Sequence, residues 1–177
     1  TGNWTARIKV GGAWFTKNIK IETIMPNRLK IKLDFGADKL SVTKKDLPGN
    51  LEVKWLHGAV ARNLNAKVEV TLSETQTTFK KFEDYNFDDA ARNFTSEAQM
   101  IFDSDINNEG KAIVKPNINV NDAAPGMLKA AFKVRVFEQG GAFSVDQFSI
   151  PYSPYSSYVG MKLPEGNKFS GMIQTDT

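Results

Sequence analysis

The chain has 177 residues, no cysteine, twelve phenylalanines and a net charge of +3 from 23 basic and 20 acidic side chains. Without cysteine it forms no disulfide, thiolate metal centre or cysteine nucleophile, and it contains no apolar run long enough to span a membrane. Its interspersed charges make a solvated surface rather than the clustered Lys/Arg footprint of a nucleic-acid binder.

The first residues, Thr1-Gly-Asn-Trp, include neither a Met nor a recognisable signal peptide, so the chain reads as a mature or excised piece. Trp4, Ala6, Ile8 and Val10 alternate with polar residues. Gly11-Gly12 then supplies the positive φ angles of a two-residue hairpin turn. Phe15, Ile19 and Ile21 continue on a return strand predicted over 13–24. Pro26 has no N–H for a ladder, so Met25-Pro26-Asn27 reads as a junction.

The next predicted strand carries Leu29, Ile31, Leu33 and Phe35 on one face and Lys30, Lys32 and Asp34 on the other. Leu40–Val42 is a short strand, and Pro48-Gly49-Asn50 a turn. Residues 51–70 hold a strand pair, Leu51/Val53/Trp55 and Leu64/Ala66/Val68/Val70, around a small-residue break. The break carries His57, the single histidine.

Phe79, Phe82, Tyr85, Phe87 and Phe94 follow among charged residues, at spacings that fit neither strand nor helix. Residues 73–110 are therefore expected to be a long loop pinned to the body by its aromatic rings. Within it, 88–101 is the best helix candidate and 98–102 a strand candidate. Regular strands resume at Gly110, with Ile118 and Val120 alternating and a turn at 122–126. Leu128, Ala130, Phe132, Val134 and Val136 define one long strand, and Ala142 to Ile150 its return across Gly140-Gly141, with Pro151 expected to end it.

The hairpins at 3–24 and 128–150 share a plan: alternating strand, Gly-Gly, alternating strand, proline junction. They suggest a tandem repeat of about 130 residues. The expected fold is all-β, an antiparallel immunoglobulin-like sandwich of about seven strands with a long aromatic-rich loop. Residues 1–24 read as the closing hairpin of a preceding domain, 25–152 as a complete sandwich, and 153–177 as a junction and the truncated start of a further domain.

Five groups of residues compete for a chemical role. Asp103, Asp105, Asn107 and Glu109 alternate like the start of a calcium loop, but Asn108 and Val114 stand where an EF-hand needs Gly and Glu. His57 has no neighbouring nucleophile and no second histidine, and reads as a turn residue. Glu83, Asp84, Asp88 and Asp89 cluster without a sign that two of them face across a cleft, as glycoside hydrolysis requires. Tyr152, Tyr155 and Tyr158, spaced by three beside proline, fit either a sugar-stacking row or packing at a domain junction, the junction being preferred. Neither Gly-Gly pair precedes a helix that would bind phosphate.

The wording of the strands is more specific than their period. Trp4-Thr-Ala-Arg-Ile-Lys-Val-Gly-Gly-Ala, Ile21-Glu-Thr-Ile-Met-Pro-Asn-Arg-Leu-Lys-Ile and Trp55-Leu-His-Gly-Ala-Val-Ala-Arg-Asn-Leu, in that order and spacing, resemble the bacterial α2-macroglobulin family. Asn121-Asp-Ala-Ala-Pro-Gly and Phe148-Ser-Ile-Pro-Tyr-Ser-Pro-Tyr extend the resemblance over most of the chain. It implies a macroglobulin-like domain, expected under the label MG2, from a large multidomain envelope protein that traps proteases, with a lipoprotein anchor on the full-length form as one option. It implies a non-enzymatic scaffold module whose partners are neighbouring macroglobulin domains and, through the whole protein, target proteases. The family's Cys-Gln thioester has no counterpart here, and no catalytic, cofactor or metal residue is carried over. The competing expectation is a carbohydrate-binding or adhesin sandwich using Tyr152, Tyr155, Tyr158, Tyr85 and Phe87.

Overall fold

A computed structural model describes residues 2–21, 26–44, 47–94, 96–120 and 124–162. Residues 22–24 of the expected return strand, the first part of the 122–126 turn and the expected domain start within 163–177 lie outside the described residues.

Strands β1 (Gly2–Val10) and β2 (Ala13–Ile21) form a two-stranded sheet of their own, closed where Val10 pairs with Ala13. Gly11 and Gly12 adopt φ of 54° and 88°, which only glycine accepts without strain at both turn positions. Trp4 lies opposite Ile19 and Ile8 opposite Phe15, so the alternation yields one apolar face. These side chains are all exposed.

The remaining strands build the expected sandwich. One sheet contains β3 (Leu29–Asp34), β5 (Gly49–Trp55) and β8 (Lys111–Val114), with β5 central. The other is ordered β4 (Leu40–Ser41), β10 (Phe143–Ser153), β9 (Leu128–Phe137), β6 (Asn65–Glu74) and β7 (Gln99–Asp105). All pairings are antiparallel except β4 with β10.

The core is the sum of the alternating inner faces. Val68, Val70 and Leu72 of β6 sit opposite Val134, Phe132 and Ala130 of β9, all buried. Leu29, Leu33, Leu51, Val53 and Val114 face them from the smaller sheet. Phe132 is the hub, with ring centroids 5.0 Å from Phe35 and 5.1 Å from Phe148, the latter stacked. Burying each such large side chain contributes roughly 1.5–3 kcal/mol.

Several expectations are corrected. The strands of 51–70 are not a pair: β5 belongs to the smaller sheet and β6 to the larger, so the break between them is the crossing from one layer to the other. Gly49 and Asn50 open β5 rather than forming a turn. A Cβ on Gly49 would lie 2.7 Å from the Phe35 ring, so glycine there makes room for an aromatic neighbour. Pro151 does not end β10, which continues to Ser153. β4 covers β10 only at Tyr152 and Ser153, and a proline on an open edge forfeits no ladder bond. Residues 115–120 join no strand.

None of the described residues of the 88–101 window is helical, and β7 begins at Gln99. Several N–H groups there are taken elsewhere: Asp89 accepts from Ala91, Glu74 accepts from Phe94 at 2.7 Å, and Asp89 N–H bonds Pro125 O at 2.8 Å. Such local bonds compete with a helix. The two diglycines also differ. Glu138 N–H bonds Ala142 O at 2.7 Å and Gly141 N–H bonds Glu138 O at 2.9 Å, giving a longer loop in which only Gly141 takes positive φ (82°).

Candidate functional site: the two chain junctions

The residues engaged in the most specific polar contacts lie where the chain enters and leaves the sandwich. At the incoming end the Asn27 amide acts as a one-residue strand. Its Nδ2 donates to Val145 O at 2.8 Å, and its Oδ1 accepts from Val145 N at 2.9 Å. This occupies part of the edge of β10 that β4 leaves open. The buried Ser144 Oγ accepts from the backbone N–H groups of Arg28 and Leu29 at 3.0 and 3.2 Å.

Arg28 then ties three segments together. Its guanidinium bonds Glu138 at 2.8 Å, lies 5.5 Å from the centre of the Trp55 ring, and its carbonyl accepts from Leu56 N at 3.0 Å. A cation over a Trp face and a carboxylate partner hold the linker against both the 55–59 turn and the 138–142 loop. Glu138 is 110 residues from Arg28 and Val145 is 118 from Asn27, so the motif Pro-Asn-Arg-Leu gave no local sign of these roles.

At the outgoing end the aromatic loop is packed against the tail. Phe79 meets Phe87 at 4.7 Å and Tyr158 at 5.6 Å, and Tyr158 meets Tyr155 at 5.8 Å, all edge-on. Tyr158 OH bonds Ser153 Oγ at 2.7 Å, and Tyr155 OH donates to Ala124 O at 2.6 Å. Burial pushes the Tyr158 hydroxyl above the ordinary tyrosine pKa, with the Ser153 bond acting in the opposite direction, and burial does the same to Tyr152. Asn86 and Met161 exchange two backbone hydrogen bonds of 2.8 Å, and Lys162 pairs with Asp84 at 3.0 Å. A Cβ on Gly160 would lie 2.3 Å from the Phe87 ring, so the ring rests directly on the glycine backbone.

The sequence-singled residues separate accordingly. Tyr152 is buried, and Tyr155 and Tyr158 are part-buried with their hydroxyls engaged. The row is packing rather than an open stacking platform. The loop aromatics pin themselves to this tail. Phe79 and Phe87 are part-buried, while Phe82 and Tyr85 remain exposed.

His57 is exposed and stacked on Trp55 at 6.2 Å. Gly58 takes φ of 95° and donates to Trp55 O at 2.8 Å, so His57 sits in a turn. Asp88 receives the Thr77 N–H, Asp89 pairs with Arg92 at 2.9 Å, and Asp84 holds Lys162. A cleft of about 430 Å³ does bring Glu74, Asp88, Asp89 and Arg92 together, but each carboxylate already serves the loop backbone or an arginine.

Asp103 and Asp105 lie on β7, where Lys67 bonds Asp103 at 2.8 Å and Asn65 bonds Asp105 at 3.2 Å. The Lys67 ammonium holds the Asp103 carboxyl below its usual pKa. Asn107 Oδ1 accepts from Glu109 N and Lys111 N, both at 2.9 Å, which makes the segment a side-chain-stabilised β7–β8 turn. Among the described residues no three His, Cys, Asp or Glu side chains group as metal ligands would, and no helix is long and apolar enough to cross a membrane.

The family model of the bacterial alpha-2-macroglobulin MG5 domain matches residues 27–154, from the Asn27 clamp to just past the end of β10. The chain belongs to the bacterial alpha-2-macroglobulin family. The matching member of the series is MG5 rather than the expected MG2. The chain is similar in fold to native Escherichia coli alpha-2-macroglobulin (TM-score 0.66, 18% identity), covering 92% of this chain and 10% of that one. Similar values hold for the trypsin-activated E. coli protein (TM-score 0.58, 18% identity, 92% of this chain and 11% of that one). They hold also for Salmonella alpha-2-macroglobulin reacted with methylamine (TM-score 0.60, 16% identity, 90% of this chain and 10% of that one). This alpha-2-macroglobulin segment thus spans about a tenth of the length of those chains. No curated protein matches.

Proposed function

We propose that the chain is a non-enzymatic scaffold module of a protease-trapping, bacterial envelope alpha-2-macroglobulin. On this reading 25–152 is one complete macroglobulin-like domain. Residues 1–24 are the closing hairpin of the domain before it, and 153–177 are the junction and start of the domain after it.

The observation that carries the reading is the contrast between the two parts of the chain. The sandwich has its own core and a clamped inlet, whereas the hairpin presents Trp4, Ile8, Val10, Phe15 and Ile19 to solvent. A two-stranded ribbon with a bare apolar face is marginal alone and gains stability only against a second layer. The Asn27 and Arg28 contacts suit a module that must hold a neighbour in one orientation. Having no cysteine, the chain contributes nothing to a thioester, so trapping chemistry belongs to other parts of the whole protein.

The test compares the chain with the full-length protein in a trypsin-trapping assay. The full-length protein is expected to shield trypsin from a large substrate. Trp4→Asp with Phe15→Asp is expected to abolish that shielding, and the chain alone is expected to leave trypsin unaffected. Inhibition, hydrolysis or saccharide binding by the chain alone would overturn the scaffold reading.

A further inference from the structure

We propose that the outgoing ribbon, formed by residues 82–87 and 159–162, is the contact surface on which the next domain of the same chain rests. This goes one step beyond the scaffold reading and rests on it.

Three observations converge. First, the ribbon is anchored to the body: Asn86 and Met161 exchange two 2.8 Å hydrogen bonds, and the Phe87 ring lies on Gly160. Second, its remaining large apolar side chains are bare. Val159 is 92% exposed, Met161 60%, Phe82 50% and Tyr85 41%. Val159 and Met161 flank Gly160, the residue on which the Phe87 ring rests. Third, the chain continues for fifteen residues past Lys162, the last residue of the ribbon. Whatever follows is tethered within a few residues of the exposed side chains, at a high effective concentration.

Exposed apolar groups gathered on a fixed element mark an interaction surface. The occupant that this tether favours is the following domain, ahead of any diffusing partner. The side chains of the ribbon face solvent, so replacing them leaves the sandwich core intact.

The experiment compares amide exchange in the chain 1–177 with exchange in the natural longer chain that includes the next domain. Exchange at 82–87 and 159–162 is expected to be roughly tenfold slower or more in the longer chain. Val159→Ser with Met161→Ser is expected to abolish that difference, while exchange in β9 and β6 stays unchanged as the control for folding. Equal exchange in the short and long chains overturns the inference and leaves the scaffold reading standing. Protection in 1–177 that grows with protein concentration also overturns it, since a second copy is then the occupant. A gene encoding no domain after residue 177 overturns both.

Discussion

Asn27 pairs with the backbone of Val145 through both atoms of its side-chain amide, 118 residues along the chain, in the manner of a neighbouring strand. Arg28 follows with contacts to Glu138 and Trp55, so the linker leading in is fixed from two sides. An equivalent device stands elsewhere. The Gln99 amide bonds Asn119 O at 2.7 Å and Asn119 N at 2.8 Å, securing the segment after β8. In both cases a side-chain amide closes an edge where the chain forms no regular ladder.

Replacing Asn27 by Ala is expected to destabilise the fold by about 1 kcal/mol, because Val145 then exchanges two protein hydrogen bonds for water at an exposed edge. Chemical denaturation checks this, through a lower midpoint at an unchanged slope. A midpoint equal to that of the parent chain would show that the clamp orients without stabilising.

Gly110→Ala is expected to cost at least about 2 kcal/mol, since the left-handed backbone and the crowding act together. Gly110 has φ of 73°, and a Cβ there would lie 2.5 Å from Val53 O and 2.7 Å from Ala61 O. Backbone atoms of two elements cannot yield as a flexible side chain does. Gly140→Ala, with open space and ordinary φ, is the matched control and should change little.

Ending the chain at residue 152 rather than 162 is expected to lower stability by roughly 2–4 kcal/mol, from the loss of the partly buried Tyr155 and Tyr158. Thermal or urea unfolding of the two lengths decides this. Equal stability would mean that the Phe79–Tyr158 contact contributes nothing net.

Alkaline pH is expected to weaken the fold through Tyr152 and Tyr158. Burial raises the pKa of both hydroxyls above the ordinary tyrosine value of 10.0. The unfolded tyrosines ionise first, so the stabilisation is complete below pH 10 and is lost as pH climbs through the raised folded values. The check is the melting temperature from pH 8 upward, with Tyr158→Phe expected to flatten the decline. A decline equally steep in the variant would place its cause elsewhere.

His57→Ala is expected to change stability by no more than about 0.5 kcal/mol, as for an exposed turn residue. Phe132→Ala, at the hub of the core, should cost about 3–5 kcal/mol. A denaturation series comparing the two separates a surface stack from a buried one. A large effect at His57 would reopen its claim to a specific role.

Much of the sandwich was legible because alternation is a local property. Leu64, Ala66, Val68 and Val70 share a parity and are all buried, as are Leu128, Ala130, Phe132, Val134 and Val136. The wording of the crossing also has a physical origin at each point. Gly58 takes φ of 95°, and Asn63 takes φ of 51°, a conformation that asparagine tolerates better than most residues. Ala61 is fully buried beside Gly110, and Leu64 O accepts from Ile106 N at 2.9 Å.

Local pattern suffices for most of the strands and their inward faces, for the glycine turn of the first hairpin and for the absence of thiol chemistry; the expected strand at 115–120 is the exception. Period-two alternation and backbone conformation are set within a few residues, so they can be read locally. Which strands are neighbours is settled by three-dimensional packing. It placed β5 and β6 in different sheets, kept Pro151 inside β10, and folded the aromatic loop onto the tail. It also gave Asn27, Arg28 and Ser144 their roles. Those outcomes depend on contacts between residues far apart in sequence or on opposite layers, and alternation carries no information about which partner lies across the gap.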